Sequence, residues 1–97
     1  MTQETILTQL RAMLPRLQER YGVKSLALFG SYARGTPHKH SDLDILVEFE
    51  ERPLTLLQFI ALEQELSDVL GVKVDLVEKQ SLKPAIARHA LQEIILI

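Results

Sequence analysis

The chain has no cysteine and no tryptophan. Without cysteine there is no disulfide framework, no thiol nucleophile and no zinc site that needs sulfur. Aromatic residues make up 5%, and glycine and proline number only 4 each, which excludes collagen-like and low-complexity chains. No run of about 18 apolar residues occurs, so no membrane-spanning helix is predicted. The opening residues Met1, Thr2, Gln3 and Glu4 lack the basic stretch of a signal peptide. A cytoplasmic protein with no membrane attachment is the expectation. Charge of neither sign dominates: 11 Lys plus Arg stand against 13 Asp plus Glu, for a net −2. That balance lacks the basic footprint of general nucleic-acid binding, so none is expected.

What is present is an ordinary globular balance, with 46% apolar and 25% charged residues in 97. This length predicts one domain over residues 1–97, able to bury roughly 60–65% of its unfolded surface. Ile6, Leu7, Leu10, Met13, Leu14 and Leu17 follow the 3,4 spacing of an amphipathic helix that Gly22 ends. Val23 to Phe29 is a nearly unbroken apolar run, short enough for a buried strand. Gly30 to His40 breaks the pattern with two glycines and a proline. Asp42 to Phe49 alternates: Leu43, Ile45, Val47 and Phe49 share one face, while Asp42, Asp44, Leu46 and Glu48 share the other.

After a turn over residues 50–53, Leu54 to Leu70 reads as a second helix closed by Gly71. Val72 to Val77 reads as a third strand, with Lys73, Asp75 and Val77 on its polar face. Ser81 is placed to cap a third helix reaching about Glu93, with Pro84 in its first turn. Ile94 to Ile97 is an apolar tail with the character of an edge strand. Helices alternating with strands predict an α/β (α+β) fold: a small sheet of three to four strands flanked by helices. Strand polarity stays open, although the helix between strands two and three permits a parallel crossover.

The sharpest chemical feature is Asp42 and Asp44 on one strand face, about 6.5–7 Å apart along the strand. Two carboxylates so placed can converge on one hard cation or bridge two. Asp75 joins them if its strand lies alongside. Three clustered acids repel one another, and a metal removes that cost. Solvated acids at a strand's start would give the same pattern without a metal. Upstream, Gly30 and Ser31 directly follow the buried strand. Glycine allows close backbone approach and positive φ, and Tyr32, Ala33 and Arg34 can form a first helical turn whose free N–H groups favour phosphate. Arg34 adds a bidentate donor for phosphate oxygens, or pins the loop to Glu48 or another acid.

Taken together, Gly30-Ser31, ten residues, then Asp42-Leu43-Asp44 resembles the signature of the DNA polymerase β-like nucleotidyltransferase superfamily. The fuller string from Gly30 through Gly35, with Ser41 through Val47, is similar to its minimal members, the MNT antitoxins that pair with HEPN-domain toxins. The resemblance covers about residues 23–77. It implies a nucleotidyltransferase fold in which Gly30, Ser31 and Arg34 hold the nucleotide phosphates. It further implies that Asp42, Asp44 and Asp75 bind Mg2+ ions, two by the family pattern, with ATP as substrate. The implied activity is that of a protein adenylyltransferase placing AMP on a tyrosine hydroxyl of a cognate HEPN ribonuclease toxin.

Two other functions fit the same residues: a binding antitoxin that blocks its partner sterically, and a two-chain transferase acting on a small alcohol such as an aminoglycoside. His38 and His40, on either side of Lys39, are read as a solvated loop, and His89 as a surface residue. Tyr32 either stacks on a base or packs beneath its loop. Leu56, Leu57, Phe59, Ile60, Ala61 and Leu62 make the second helix apolar on more than one side; either it is wedged between sheet and neighbour, or part of this surface, or the tail at Ile94–Ile97, docks the partner.

Overall fold

A computed structural model describes residues 2–35, 42–51, 54–84, 88 and 94–97. Helix α1 spans Gln3–Tyr21. Thr2 caps it, its side chain accepting from the Thr5 N–H, and Gly22 ends it in the left-handed region with φ 69°. The apolar stripe read from the sequence is its inner face: Ile6, Leu7, Leu10, Met13 and Leu17 are buried, and Leu14 packs partly against the same core. Pro15 lies inside this helix and takes one N–H out of its ladder.

Strand β1 (Val23–Phe29) runs into a single helical turn, α2 (Gly30–Arg34). Strand β2 (Leu43–Phe49) follows, then helix α3 (Leu56–Leu70), strand β3 (Val74–Glu78) and the short strand β4 (Ile95–Leu96). The sheet order is β3-β2-β1-β4. β1 pairs antiparallel with β2 and β4, whereas β2 and β3 are parallel. The sheet is therefore mixed, and α3 supplies the crossover that a parallel pair requires. A register irregularity between Val23 and Ser25 lets Val23 and Leu26 both face the core.

The predicted alternation in β2 holds: Leu43, Ile45, Val47 and Phe49 are buried against α1 and α3. On α3 the inner face is Leu62, Leu66 and Leu70. Its start lies two residues later than the apolar run suggested, because Thr55 forms a capping box with Gln58. β3 likewise starts at Val74 rather than Val72. Ser81 ends a 3-10 turn (Lys79–Ser81) instead of capping the helix directly. Pro84 and Arg88 are helical, while most of the residues expected to form the third helix lie outside the described ones. The tail expected as an edge strand is β4, paired to Ala27 and Leu28.

Two polar side chains of α3 close the free edge of β3. The Val74 N–H donates to Ser67 Oγ at 3.0 Å, and the Leu76 N–H donates to Glu63 Oε2 at 3.0 Å. One helical turn advances about 5–6 Å and two strand residues about 6.6 Å, so an i, i+4 pair on a helix matches alternate N–H groups of a strand. Nearby, Glu65 accepts from Arg16 (3.1 Å), Arg20 (2.9 Å) and the Tyr21 hydroxyl (3.2 Å), clasping α3 to α1. Among the described residues no helix is long and apolar enough to cross a membrane.

Candidate active site

The chain reverses at the end of β1, and the reversal sets the site. Phe29 pairs with Asp44 across the β1–β2 ladder, so the residue after Phe29 lies over that aspartate. That residue is Gly30, with φ 72°. A Cβ built there would overlap the Asp44 carboxylate and stand 3.0 Å from its Cγ. Only glycine combines this backbone conformation with this proximity. Ser31 and Arg34 follow on α2, whose end Gly35 caps with φ 74°, its N–H donating to the carbonyls of Ser31 and Tyr32.

Asp42 precedes β2 and Asp44 lies inside it, both on the face opposite the core. Asp75 is the direct β3 partner of Asp44 in the parallel register. The expectation that β3 neighbours β2 and brings Asp75 beside the pair is met. Asp44 is half-buried, and its carboxyl is pushed above the usual aspartate range, first by burial and then by the charges of Asp75 and Asp42. Arg34 acts on the same carboxyl in the opposite direction. Glu48, the other acid considered for Arg34, instead has Ser25 Oγ at 3.3 Å and Lys79 Nζ at 3.9 Å. Asp42 has Lys73 Nζ at 3.9 Å, both side chains being largely exposed.

This arrangement is a surplus of negative charge beside a turn rich in donors. Among the described residues no group of three or more His, Cys, Asp or Glu side chains is arranged to hold a metal ion by itself. Magnesium does not need one, since it takes one or two carboxylates and fills its shell with substrate phosphates and water. The repulsion around Asp44, which Arg34 offsets only in part, is what a divalent cation relieves, so carboxylates here suit such an ion together with substrate oxygens.

Tyr32 is buried in the core cluster, so of the two readings the ring packs beneath its turn. His38, Lys39 and His40, with Ser41, and His89 lie outside the described residues. Several contributors gave no signal in the sequence. Gln3 Nε2 donates to the carbonyls of Tyr32 at 2.8 Å and Ala33 at 3.2 Å, a link across 29 residues that no local pattern announces. Glu63 and Ser67 lie on a helix read from the sequence for its apolar residues alone, and nothing local marks them as acceptors for a strand edge. Lys73 was assigned to the polar face of its strand without a partner.

Comparison with known proteins agrees with this geometry. A family model described as a nucleotidyltransferase domain matches residues 10–97. The protein adenylyltransferase MntA of Thermococcus cleftensis is 48% identical over 97 residues, covering 100% of this chain and 97% of that protein. A solved structure described as a candidate minimal nucleotidyltransferase superposes with a TM-score of 0.82 at 41% identity, covering 98% of this chain and 95% of that one. A crystal structure of a toxin-antitoxin with AMP-PNP contains a chain of 28% identity and TM-score 0.71, covering 99% of this chain and 72% of that one.

Proposed function

From the premise that this chain belongs to the nucleotidyltransferase domain family, we propose that it is an antitoxin acting as a protein adenylyltransferase. In this reading it moves AMP from ATP to a tyrosine hydroxyl of a cognate HEPN ribonuclease toxin. The observation that carries the reading is the apposition of Gly30 and Asp44 with Asp75 in register. The turn that starts at Gly30 and the carboxylates of Asp44 and Asp75 on neighbouring strands support a site for a nucleotide and its metal. The adenylyltransferase relative and the toxin-antitoxin structure support the substrate and partner.

The chemistry is an in-line displacement. The acceptor oxygen forms a bond to the α-phosphorus, the bond to the bridging oxygen breaks, pyrophosphate departs, and the hydroxyl proton passes to a neighbouring base. Bound at Asp42, Asp44 and Asp75, magnesium would supply charge neutralisation at the attacking and leaving oxygens. The Gly30–Ser31 backbone lies flush enough for phosphate to approach, and Ser31 and Arg34 donate to its oxygens. Asp75 is exposed beside Asp44, where an incoming hydroxyl can reach it and leave its proton. In this reading the toxin presents its own tyrosine to the site. Exposed Leu56, Leu57 and Ile60 on α3 offer an apolar surface for that partner.

The test is intact-mass spectrometry of the toxin purified with and without this protein co-expressed. Adenylyl increments on a tyrosine, absent with the Asp42→Asn/Asp44→Asn variant, are expected. Undiminished labelling by that variant would sink the role of the carboxylates. An unmodified toxin held in a stable complex would establish the steric antitoxin instead, and turnover of a small alcohol would establish the two-chain transferase.

A further inference from the structure

α2 is one turn of five residues. A helix that short has no stability of its own, because nucleation costs more than one turn of hydrogen bonds returns. Its position must come from outside, and three contacts provide it. At its start Gly30 lies against Asp44. In its middle the Tyr32 ring is buried in the core. At its end the carbonyls of Tyr32 and Ala33 belong to the last turn, which has no intrahelical N–H to receive. Gly35 serves the first of them at 3.3 Å. The Gln3 amide serves both, at 2.8 and 3.2 Å, spending both of its N–H donors on them.

Gln3 is the first residue of α1, a 19-residue helix packed on the core. Its side chain thus ties the short element that carries Ser31 and Arg34 to a long helix packed on the core. We propose that Gln3 is a positioning residue for nucleotide binding: it holds α2 in the orientation that aims Ser31 and Arg34 at the triphosphate. The inference rests on the reading of this turn as the triphosphate site. Gln3 lies outside residues 10–97, which match the family model.

The geometry distinguishes substitutions. Gln3→Ala removes both donors. Gln3→Glu keeps the shape but sets a carboxylate against two carbonyl oxygens, replacing attraction with repulsion. Gln3→Lys changes the shape and keeps a donor of sufficient reach. Arg16→Ala provides the control, since it weakens α1 through its Glu65 contact without touching α2.

Binding of a fluorescent ATP analogue with magnesium is measured on the untagged full chain, alongside thermal unfolding. Gln3→Glu is expected to weaken binding tenfold or more and Gln3→Ala about three- to tenfold. Gln3→Lys is expected to stay within threefold of wild type. Arg16→Ala, which removes one exposed ion pair of the same helix at little cost to stability, is expected to keep its affinity, and a Gln3 variant of equal thermal stability that loses affinity separates positioning from a purely structural role. If Gln3→Glu fails to fold, Gln3→Ala decides by the same criterion. Wild-type affinity retained by the folded Gln3 variants overturns the inference alone. No binding by the wild-type protein overturns the triphosphate reading and the inference with it.

Discussion

Gly30 and Asp44 share a space that admits only one side chain. The Asp44 carboxylate fills the volume that a Cβ on Gly30 would need, and Gly30 has φ 72°. The glycine therefore does two things at once: it turns the chain out of β1, and it lets a carboxylate of β2 lie directly beneath the turn that carries Ser31 and Arg34.

Gly30→Ala is expected to destabilise the fold by about 1–3 kcal/mol, from left-handed strain plus displacement of Asp44. In an Asp44→Ala background the overlap with the carboxylate is gone, and the cost of Gly30→Ala should fall toward about 1 kcal/mol, the left-handed strain alone. Denaturant unfolding of the four proteins in this cycle measures the coupling. Equal costs in both backgrounds would show that the contact is not tight.

Asp44 also gives a pH signature. Its folded carboxyl binds a proton more tightly than an unfolded aspartate, through burial and the charges of Asp75 and Asp42. The favourable contribution is therefore complete below the unfolded value, about 3.9, and is lost as pH rises through the folded one. At neutral pH without divalent cations, Asp44→Asn should raise the unfolding temperature while abolishing adenylyl transfer. The gain should vanish near pH 3.5, and magnesium should narrow it by stabilising the wild type alone. Thermal scans from pH 3.5 to 8 follow it. A variant less stable than wild type at pH 7 without metal would contradict this account.

The edge of β3 is held by side chains, and Asp75 lies between the two points of attachment. Ser67→Ala leaves the Val74 N–H without its partner and should cost about 1 kcal/mol. Glu63→Ala, which removes a charged acceptor, should cost about 1.5–3 kcal/mol, with Glu63→Gln intermediate because it keeps one oxygen. Hydrogen exchange read at the Val74 and Leu76 amides tests the assignment. Protection unchanged at those two amides would refute it.

Much of this protein was legible along the chain. Periodicity located α1, β2 and α3, while β1 showed as a nearly unbroken apolar run whose Leu26, Ala27 and Leu28 are all buried. The faces of β2 followed from strand geometry, which puts alternate residues on opposite sides. Boundaries were less legible: α3 and β3 each start two residues late, since a cap at Thr55 and hydrogen bonds at Val74 decide them, not hydropathy. Gly30, Ser31, Asp42 and Asp44 were identifiable as a motif, because their relation is carried by short stretches of sequence.

The remaining relations needed the folded chain. That Asp75 stands in register with Asp44 depends on β3 joining β2 in parallel, a choice that connection length permits but does not make. Lys73 came beside Asp42 by the same pairing. Gln3 reached Tyr32, and Glu63 and Ser67 reached the β3 edge, because packing brought together groups that sequence separates. One-dimensional pattern encodes which side of an element is buried; only packing decides which buried sides and exposed ends meet.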